Sequence, residues 1–224
     1  MNDDFFLDTY DSGVGSTIVF THGWTDNRNA WDGVITNLND HARCIAWSIR
    51  GHGESFAPPP GHYTRDHTLS DLKAITERSE EKVILAGHSL GGYLSLAHSL
   101  LYPEDVEALI LVGAGPGFRK MESIDQWNSS VIESAKKLDL PEGSEATALH
   151  TDAWVIDSLS EIKVPTLVIV GEHDKRFRAS MSVFEKYLNV KTSVVVEDAG
   201  HSVHRKKPLE VANAIKDFLG EISQ

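Results

Sequence analysis

Short apolar runs alternate along this chain with longer stretches of helical spacing. The runs at residues 5–10, 17–21, 43–47, 82–86, 108–112, 166–170 and 192–196 are predicted strands, and turn-favouring residues follow most of them. This alternation is typical of a parallel sheet covered by helices. The sequence therefore predicts an α/β fold with a mostly parallel sheet of about seven strands and helices on both faces.

Residues 90–101 and 211–222 carry apolar side chains at intervals of three and four, which predicts helices packed on the sheet. The stretch 115–160 breaks the alternation, because it has helical spacing but no convincing buried strand. We expect it to be a short helical cap inserted into a single domain that spans residues 1–224. The alternative is an ordinary long crossover with one helix, since parallel strands need a dozen or more residues between them.

The charge balance argues against nucleic acid and membranes as partners. The 224 residues include 21 basic and 33 acidic ones, and the net charge of −12 at pH 7 repels phosphate backbones and anionic lipid surfaces. The first residues are acidic and lack the basic start and apolar stretch of a signal peptide. The lone cysteine, Cys44, has no partner for an internal disulfide. These features predict a cytoplasmic protein.

The strongest local signal is Gly87-His88-Ser89-Leu90-Gly91-Gly92, which lies between a predicted strand and a predicted helix. A tight turn at this place leaves no room for side chains at Gly87 and Gly91, and it projects Ser89 into a cleft at the carboxyl edge of the sheet. Ser89 is therefore a candidate nucleophile. The plainer alternative is a serine that only caps the helix.

A serine nucleophile needs a general base, and the base needs an orienting acid. Asp174 and His201 each follow a predicted strand, so both are expected at the sheet edge that carries Ser89. The chain order serine, aspartate, histidine is typical of hydrolases whose nucleophile sits on such a turn. These three residues are the candidate catalytic group.

Neighbouring residues are rivals for two of these roles. His204 stands three residues from His201 and is a rival for the role of base. Glu172, which is near Asp174 along the chain, and Asp198, which follows the next predicted strand, are rivals for the role of acid. A metal site on His201 and His204 is not expected, because no further ligands stand at recognisable spacing.

An oxyanion hole requires two backbone N–H donors aimed at the place where negative charge develops. Leu90 follows the nucleophile and is one candidate. Trp24, in the segment Thr21-His22-Gly23-Trp24 after a predicted strand, is the other. The alternative is that His22 and Gly23 only form a turn that ends the strand.

In order and spacing, these segments resemble the motifs of the α/β-hydrolase superfamily, in particular its small capped serine esterases, lactonases and C–C bond hydrolases. The matching segments are the oxyanion loop His22-Gly23-Trp24, the loop Arg50-Gly51-His52-Gly53-Glu54-Ser55, the nucleophile turn at residues 87–92, the acid loop Gly171-Glu172-His173-Asp174 and the base loop Ala199-Gly200-His201. The resemblance covers nearly the whole chain.

The resemblance implies that Ser89 is the nucleophile, Asp174 the acid and His201 the base, with residues 115–160 as a cap. It implies a serine hydrolase that cleaves carboxylic esters of small molecules through an acyl-enzyme intermediate, with no metal or organic cofactor. Because the nucleophile is a serine, the resemblance argues against the dehalogenase and epoxide-hydrolase branches.

The expected cap supplies a candidate substrate pocket. Phe118, Met121, Trp127 and Trp154 either line this pocket or form the core of the cap. The acid loop continues into Lys175-Arg176-Phe177-Arg178, where the family usually has a proline-containing turn. Its two arginines either bind a substrate carboxylate or form a solvated basic patch.

Four other functions are compatible with the sequence. A C–C bond hydrolase or a lactonase would use the same catalytic group, and a ligand receptor can keep this fold and triad with negligible turnover. A nucleotide-binding protein would use Gly113-Ala114-Gly115-Pro116-Gly117, but Pro116 suits a turn better than a phosphate cradle.

Overall fold

A seven-stranded sheet forms the centre of the protein in this computed structural model, which describes residues 6–223. The strands are β1 (Thr9–Ser12), β2 (Thr17–Thr21), β3 (Arg43–Trp47), β4 (Val83–His88), β5 (Val106–Val112), β6 (Pro165–Gly171) and β7 (Asn189–Val196). Their order in the sheet is β1-β3-β2-β4-β5-β6-β7. Strand β1 runs antiparallel to β3, and the other neighbours are parallel. The predicted fold class is confirmed.

Helices cover both faces of this sheet. They are α1 (Asp32–Thr36), α2 (Arg65–Thr76), α3 (Leu90–Leu101), α4 (Met121–Ala135), α5 (Trp154–Ser158), α6 (Ser180–Tyr187), α7 (Val203–Lys206) and α8 (Pro208–Ile222). Consecutive residues of β2 show how the faces divide, because Val19 packs in a cluster with α2 and α3 while Phe20 packs in a cluster with α1 and α8. Two apolar layers therefore hold the sheet between them.

The first strand lies later in the chain than the sequence predicts. The prediction placed it at residues 5–10, of which residue 5 lies outside the described residues, whereas β1 is Thr9–Ser12. Asp8, just before β1, forms side-chain and backbone hydrogen bonds with distant residues. Its N–H donates to Ser55 Oγ at 2.9 Å, and its carboxylate accepts from Arg28 at 2.6 Å. Because Ser55 Oγ accepts the Asp8 N–H, this donor does not pair with the neighbouring strand, and β1 begins at the next residue.

Between β5 and β6 the chain forms α4, a 3₁₀ turn at Ser144–Ala148, α5 and a 3₁₀ turn at Leu159–Glu161, with no strand in this described stretch. It is fastened to the rest of the protein by Arg65, whose guanidinium donates to both carboxylate oxygens of Asp152 at 2.9 and 2.8 Å. Thr147 adds a hydrogen bond to the Tyr63 carbonyl at 2.9 Å. We call residues 113–164 the β5–β6 segment.

None of the described helices combines the length and apolar character needed to cross a lipid bilayer.

Candidate active site

Ser89 occupies a strained turn between β4 and α3. Its backbone angles are φ 52° and ψ −112°, a conformation that residues with a side chain rarely adopt. The turn is packed tightly on both sides, since a Cβ on Gly87 would overlap the Gly91 backbone and a Cβ on Gly91 would overlap the Thr21 carbonyl. Leu90 is the first residue of α3, so its N–H has no acceptor within the helix.

Asp174 and His201 come from the loops after β6 and β7 and meet at the carboxyl edge of the sheet. His201 Nδ1 lies 2.8 Å from Asp174 Oδ2, and the Asp174 side chain is buried. The N–H groups of Arg176 and Phe177 donate to Asp174 Oδ1 at 3.2 and 3.1 Å. Burial opposes ionisation of this carboxyl, but His201 and the two N–H groups hold its pKa below the usual value.

An ionised Asp174 accepts hydrogen bonds only, so its contact with His201 requires the proton on Nδ1. Nε2 of His201 is then the acceptor nitrogen, as a general base requires. The His201 ring stacks on Phe177 with centroids 4.9 Å apart and planes 18° apart. The imidazole is thus fixed both by a hydrogen bond and by ring stacking.

The structure places the rivals for these roles elsewhere. His204 is fully buried between the rings of Trp31 and His88, at centroid distances of 4.5 and 4.1 Å, and burial lowers its pKa well below the usual value. The carboxylate of Glu172 accepts from the Asp198 N–H at 3.2 Å on the exposed surface. Glu172, His173 and Asp198 bring possible metal ligands within 4.8 Å of one another, but all three are exposed, and acidic groups often lie this close without an ion.

His22 holds the loop that carries Trp24. Its Nδ1 donates to the Gly23 carbonyl at 2.7 Å, and its Nε2 accepts from the Ile49 N–H at 2.9 Å. Burial, with a smaller contribution from His52, lowers the pKa of His22 to about 3, so the ring is neutral and suited to one donor and one acceptor bond.

His88 connects the nucleophile turn to the base loop. Its Nε2 donates to the His201 carbonyl at 3.0 Å, and the two rings lie 4.7 Å apart. Burial lowers the pKa of His88 to about 3. A Cβ on Gly23 would stand 2.7 Å from His88 Nδ1 and 3.4 Å from Ser89 Cβ, so the loop before Trp24 lies directly against the nucleophile turn. The sequence predicts that His88 packs or forms hydrogen bonds rather than reacts, but it does not assign a holding role to His22, although His22 adjoins predicted site residues.

The cleft beside Ser89 has two lobes. The Phe118 lobe has a volume of about 350 Å³, and the Arg205 lobe has a volume of about 570 Å³. Ser89, Leu90 and Arg176 belong to the walls of both, while Asp174 and His201 line only the Arg205 lobe. Ser89 therefore stands where the two lobes meet.

Of the predicted pocket residues, Phe118 and Trp127 line this cleft. Met121 is 63% exposed and borders a shallow surface depression on α4. Trp154 packs beneath the Arg65 guanidinium at 5.2 Å, and it is not among the described residues that line either lobe. The structure thus brings two of the four predicted residues to the cleft.

His150 lines the Phe118 lobe and was not identified from the sequence. It is buried among the rings of Tyr93 and Phe118, at 4.5 and 5.2 Å, and its Nδ1 has no hydrogen-bond partner among residues 6–223. Burial and the nearby charge of Arg65 lower its pKa to about 4. No motif surrounds His150, so only the folding of the β5–β6 segment reveals its position.

The chain is similar to known proteins over most of its length. Residues 16–138 match the family model described as alpha/beta hydrolase fold. A Bacillus subtilis protein with the provisional name 2-succinyl-6-hydroxy-2,4-cyclohexadiene-1-carboxylate synthase is 27% identical over 93% of this chain and 92% of its own length. The 2-hydroxy-6-oxo-2,4-heptadienoate hydrolase of Pseudomonas putida is 34% identical over 58% of this chain, but only half of that protein is covered. A thermophilic esterase from Thermogutta terrifontis, solved with malate bound, superposes with a TM-score of 0.83 at 25% identity, over 97% of this chain and 94% of that one.

Proposed function

This chain belongs to the α/β-hydrolase fold family, and we propose that it is a serine hydrolase that cleaves carboxylic esters of small molecules. One observation carries the proposal: a buried aspartate bonds the imidazole of His201 at 2.8 Å, in a cleft that also holds Ser89 on a strained turn. A paired acid and base in the same cleft as a half-buried hydroxyl is the arrangement that activates a serine.

In the first half of the proposed reaction, Ser89 Oγ attacks the ester carbonyl carbon while His201 Nε2 takes the hydroxyl proton. The N–H groups of Trp24 and Leu90 hold the oxyanion, where one such donor is worth about 10²–10³ in rate. The carbon–oxygen bond to the alcohol then breaks, and His201 returns the proton to the departing oxygen. The result is an ester between Ser89 and the acyl group.

In the second half, a water molecule attacks this acyl-enzyme and gives its proton to His201. The bond to Ser89 breaks, the serine regains its proton and the carboxylic acid leaves. Asp174 keeps the imidazole in the productive tautomer and stabilises the imidazolium in both halves. We assign the β5–β6 segment the role of a cap, because Phe118, Trp127 and His150 cover the cleft from that segment.

A C–C bond hydrolase is the second candidate, because the heptadienoate hydrolase is 34% identical over the part of the chain that aligns. The same serine, base and oxyanion donors would serve that reaction. Turnover of a vinylogous diketone that exceeds turnover of any simple ester would favour this candidate.

The test is hydrolysis of short p-nitrophenyl esters by the wild type, Ser89→Ala and His201→Ala. Both variants should lose at least about 10³-fold in kcat/KM, the effect of removing a working triad member. Ser182→Ala is the matched control, since this exposed serine bonds only the Ala179 carbonyl and should leave the rate unchanged. Wild-type turnover equal to that of Ser89→Ala would contradict the esterase proposal.

A further inference from the structure

The charged residues that line the cleft are paired with one exception. Asp26 is bound to Arg205 at 3.0 Å, and Asp174 is bound to His201. Arg176 lines both lobes and forms no ion pair with any residue in the part of the chain that the structure describes. Arg176 is exposed, so water solvates its charge and the guanidinium is available to an anion that enters the cleft.

The position of Arg176 is tied to the catalytic machinery. Its backbone N–H donates to Asp174 Oδ1 at 3.2 Å, so the acid loop sets where the side chain begins. Its guanidinium lies over the Trp127 ring, 5.3 Å from the centroid. The planar guanidinium keeps its hydrogen-bond donors when it stacks on an aromatic ring, so they remain able to bind an anion.

The Phe118 lobe presents a wall suited to an anion. Among its described lining residues Arg176 is the only one with a formal charge, and no carboxylate is present. His150 contributes a buried imidazole whose Nδ1 lacks a partner within residues 6–223. Burial lowers the pKa of His150 to about 4, so the ring that lines the lobe is neutral, and a neutral imidazole can donate a hydrogen bond to an oxygen of the occupant.

We propose that the Phe118 lobe binds an acyl group that ends in a carboxylate, with Arg176 as its counter-charge and His150 as a hydrogen-bonding partner. The inference rests on the proposed esterase function and narrows its substrates to half-esters of small dicarboxylic acids. The volume of about 350 Å³ lies at the low end of ligand pockets, which limits the acyl group to a short chain. Arg176 is a specificity-determining residue in this account.

The test compares two esters of nearly equal shape, ethyl hydrogen glutarate and its carboxamide analogue, which replaces the anionic carboxylate by a neutral amide. The wild type should prefer the carboxylate, and Arg176→Gln should lower the ratio of the two kcat/KM values by about tenfold or more, chiefly through KM. Arg176→Lys should restore part of the preference, because it keeps the charge but loses the guanidinium fork. Added salt should also weaken the preference, because Arg176 is exposed.

Arg178→Gln is the matched control. Arg178 lies two residues away, bonds the Glu172 carbonyl at 2.9 Å and is not among the described lining residues of either lobe. Its removal should leave the ratio unchanged. An equal loss on both esters in Arg176→Gln would overturn the inference, because it would mean that Arg176 only supports Trp127.

Binding of glutarate to the Ser89→Ala variant, measured by calorimetry, separates this inference from the proposed catalysis. We expect Arg176→Gln in that background to weaken glutarate binding by about tenfold or more. If esters are hydrolysed with Ser89 but without any preference for the carboxylate, the esterase proposal stands and the anionic subsite is wrong. If glutarate binds through Arg176 but no ester is hydrolysed, the subsite stands and the esterase proposal is wrong.

Discussion

The cleft at Ser89 has a rear wall, which includes His22, Gly23 and His88, and a front wall, which includes His150 and Arg176, and the two walls differ in how they are held. Behind the nucleophile, His22 and His88 each bond backbone atoms of a neighbouring loop, and Gly23 leaves no room for a side chain. In front, His150 and Arg176 line the cleft, and Arg176 forms no ion pair among the described residues. The bonds of His22 and His88 to backbone atoms hold the rear wall together, whereas the front wall presents the unpaired charge of Arg176 to the cleft.

This difference indicates where chemistry and specificity reside. Loops at the ends of adjacent parallel strands are short and packed, so they hold reacting groups within narrow limits. The β5–β6 segment supplies Phe118, Trp127 and His150 to the front wall, contains no strand among the described residues and can carry different side chains over the same nucleophile. Arg176 reaches the front wall from the acid loop instead. Substitutions behind Ser89 should therefore reduce kcat, and those in front should change the choice of substrate.

The largest expected effect lies behind the nucleophile, at Asp174. Asp174→Asn keeps the shape but removes the carboxylate that fixes the His201 tautomer, so kcat should fall about 10³–10⁴-fold with little change in KM. Steady-state kinetics on a p-nitrophenyl ester measure both constants. A loss confined to KM would show that the Asp174 carboxylate acts in substrate binding, as the front wall does. That result would contradict the distinction between the two walls.

A smaller effect is expected at His88, which holds the His201 carbonyl at 3.0 Å. His88→Leu removes this bond and should lower kcat by about 10–100-fold, since misplacement of a base by an ångström is costly. His88→Gln places an amide donor near the position of Nε2 and should recover much of the rate.

In the front wall, Phe118→Ala is the matched comparison and should change KM for different acyl groups more than kcat. Equal kinetic signatures from the two sites would remove the distinction.

The acid stability of the rear wall gives an effect on folding rather than on the reaction rate. Burial holds the pKa values of His22 and His88 at about 3 and that of His204 well below its usual value, so the native protein keeps these rings neutral. The unfolded chain takes up these protons near pH 6.5, so stability is full above that pH and falls as the pH drops toward 3. Each ring adds a slope of about 1.4 kcal/mol per pH unit.

Replacing one of these rings tests the linkage. His204→Phe removes a titrating group from the rear wall, so the decline in unfolding free energy between pH 6 and pH 4 should become shallower by about 1.4 kcal/mol per pH unit. Urea unfolding at several pH values measures this slope. An unchanged slope would mean that His204 is protonated in the native state.

The two walls also differ in how far sequence predicts them. The rear wall follows from short motifs at strand ends, because a glycine-bounded turn after a buried strand leaves few conformations, as at residues 87–92. The front wall depends on tertiary packing. Apolar spacing does not distinguish Trp127, which lines the cleft, from Trp154, which packs under Arg65. His150 has no local signal at all.

The start of β1 was also beyond sequence reasoning. Its neighbour Asp8 bonds Ser55 and Arg28, which are distant along the chain. Such contacts depend on the completed fold, whereas strands such as β2 and β3 follow directly from their apolar runs and have the bounds that the sequence predicts.

The central claim is that Ser89 is the nucleophile, and covalent labelling tests it most directly. The protein is incubated with a fluorophosphonate, digested and analysed by mass spectrometry, with Ser89→Ala and Asp174→Asn treated in parallel. We expect one adduct on the peptide that contains Ser89, none on that peptide in Ser89→Ala, and much slower labelling in Asp174→Asn. A wild-type adduct on another residue, or labelling that persists undiminished in Ser89→Ala, would contradict the assignment.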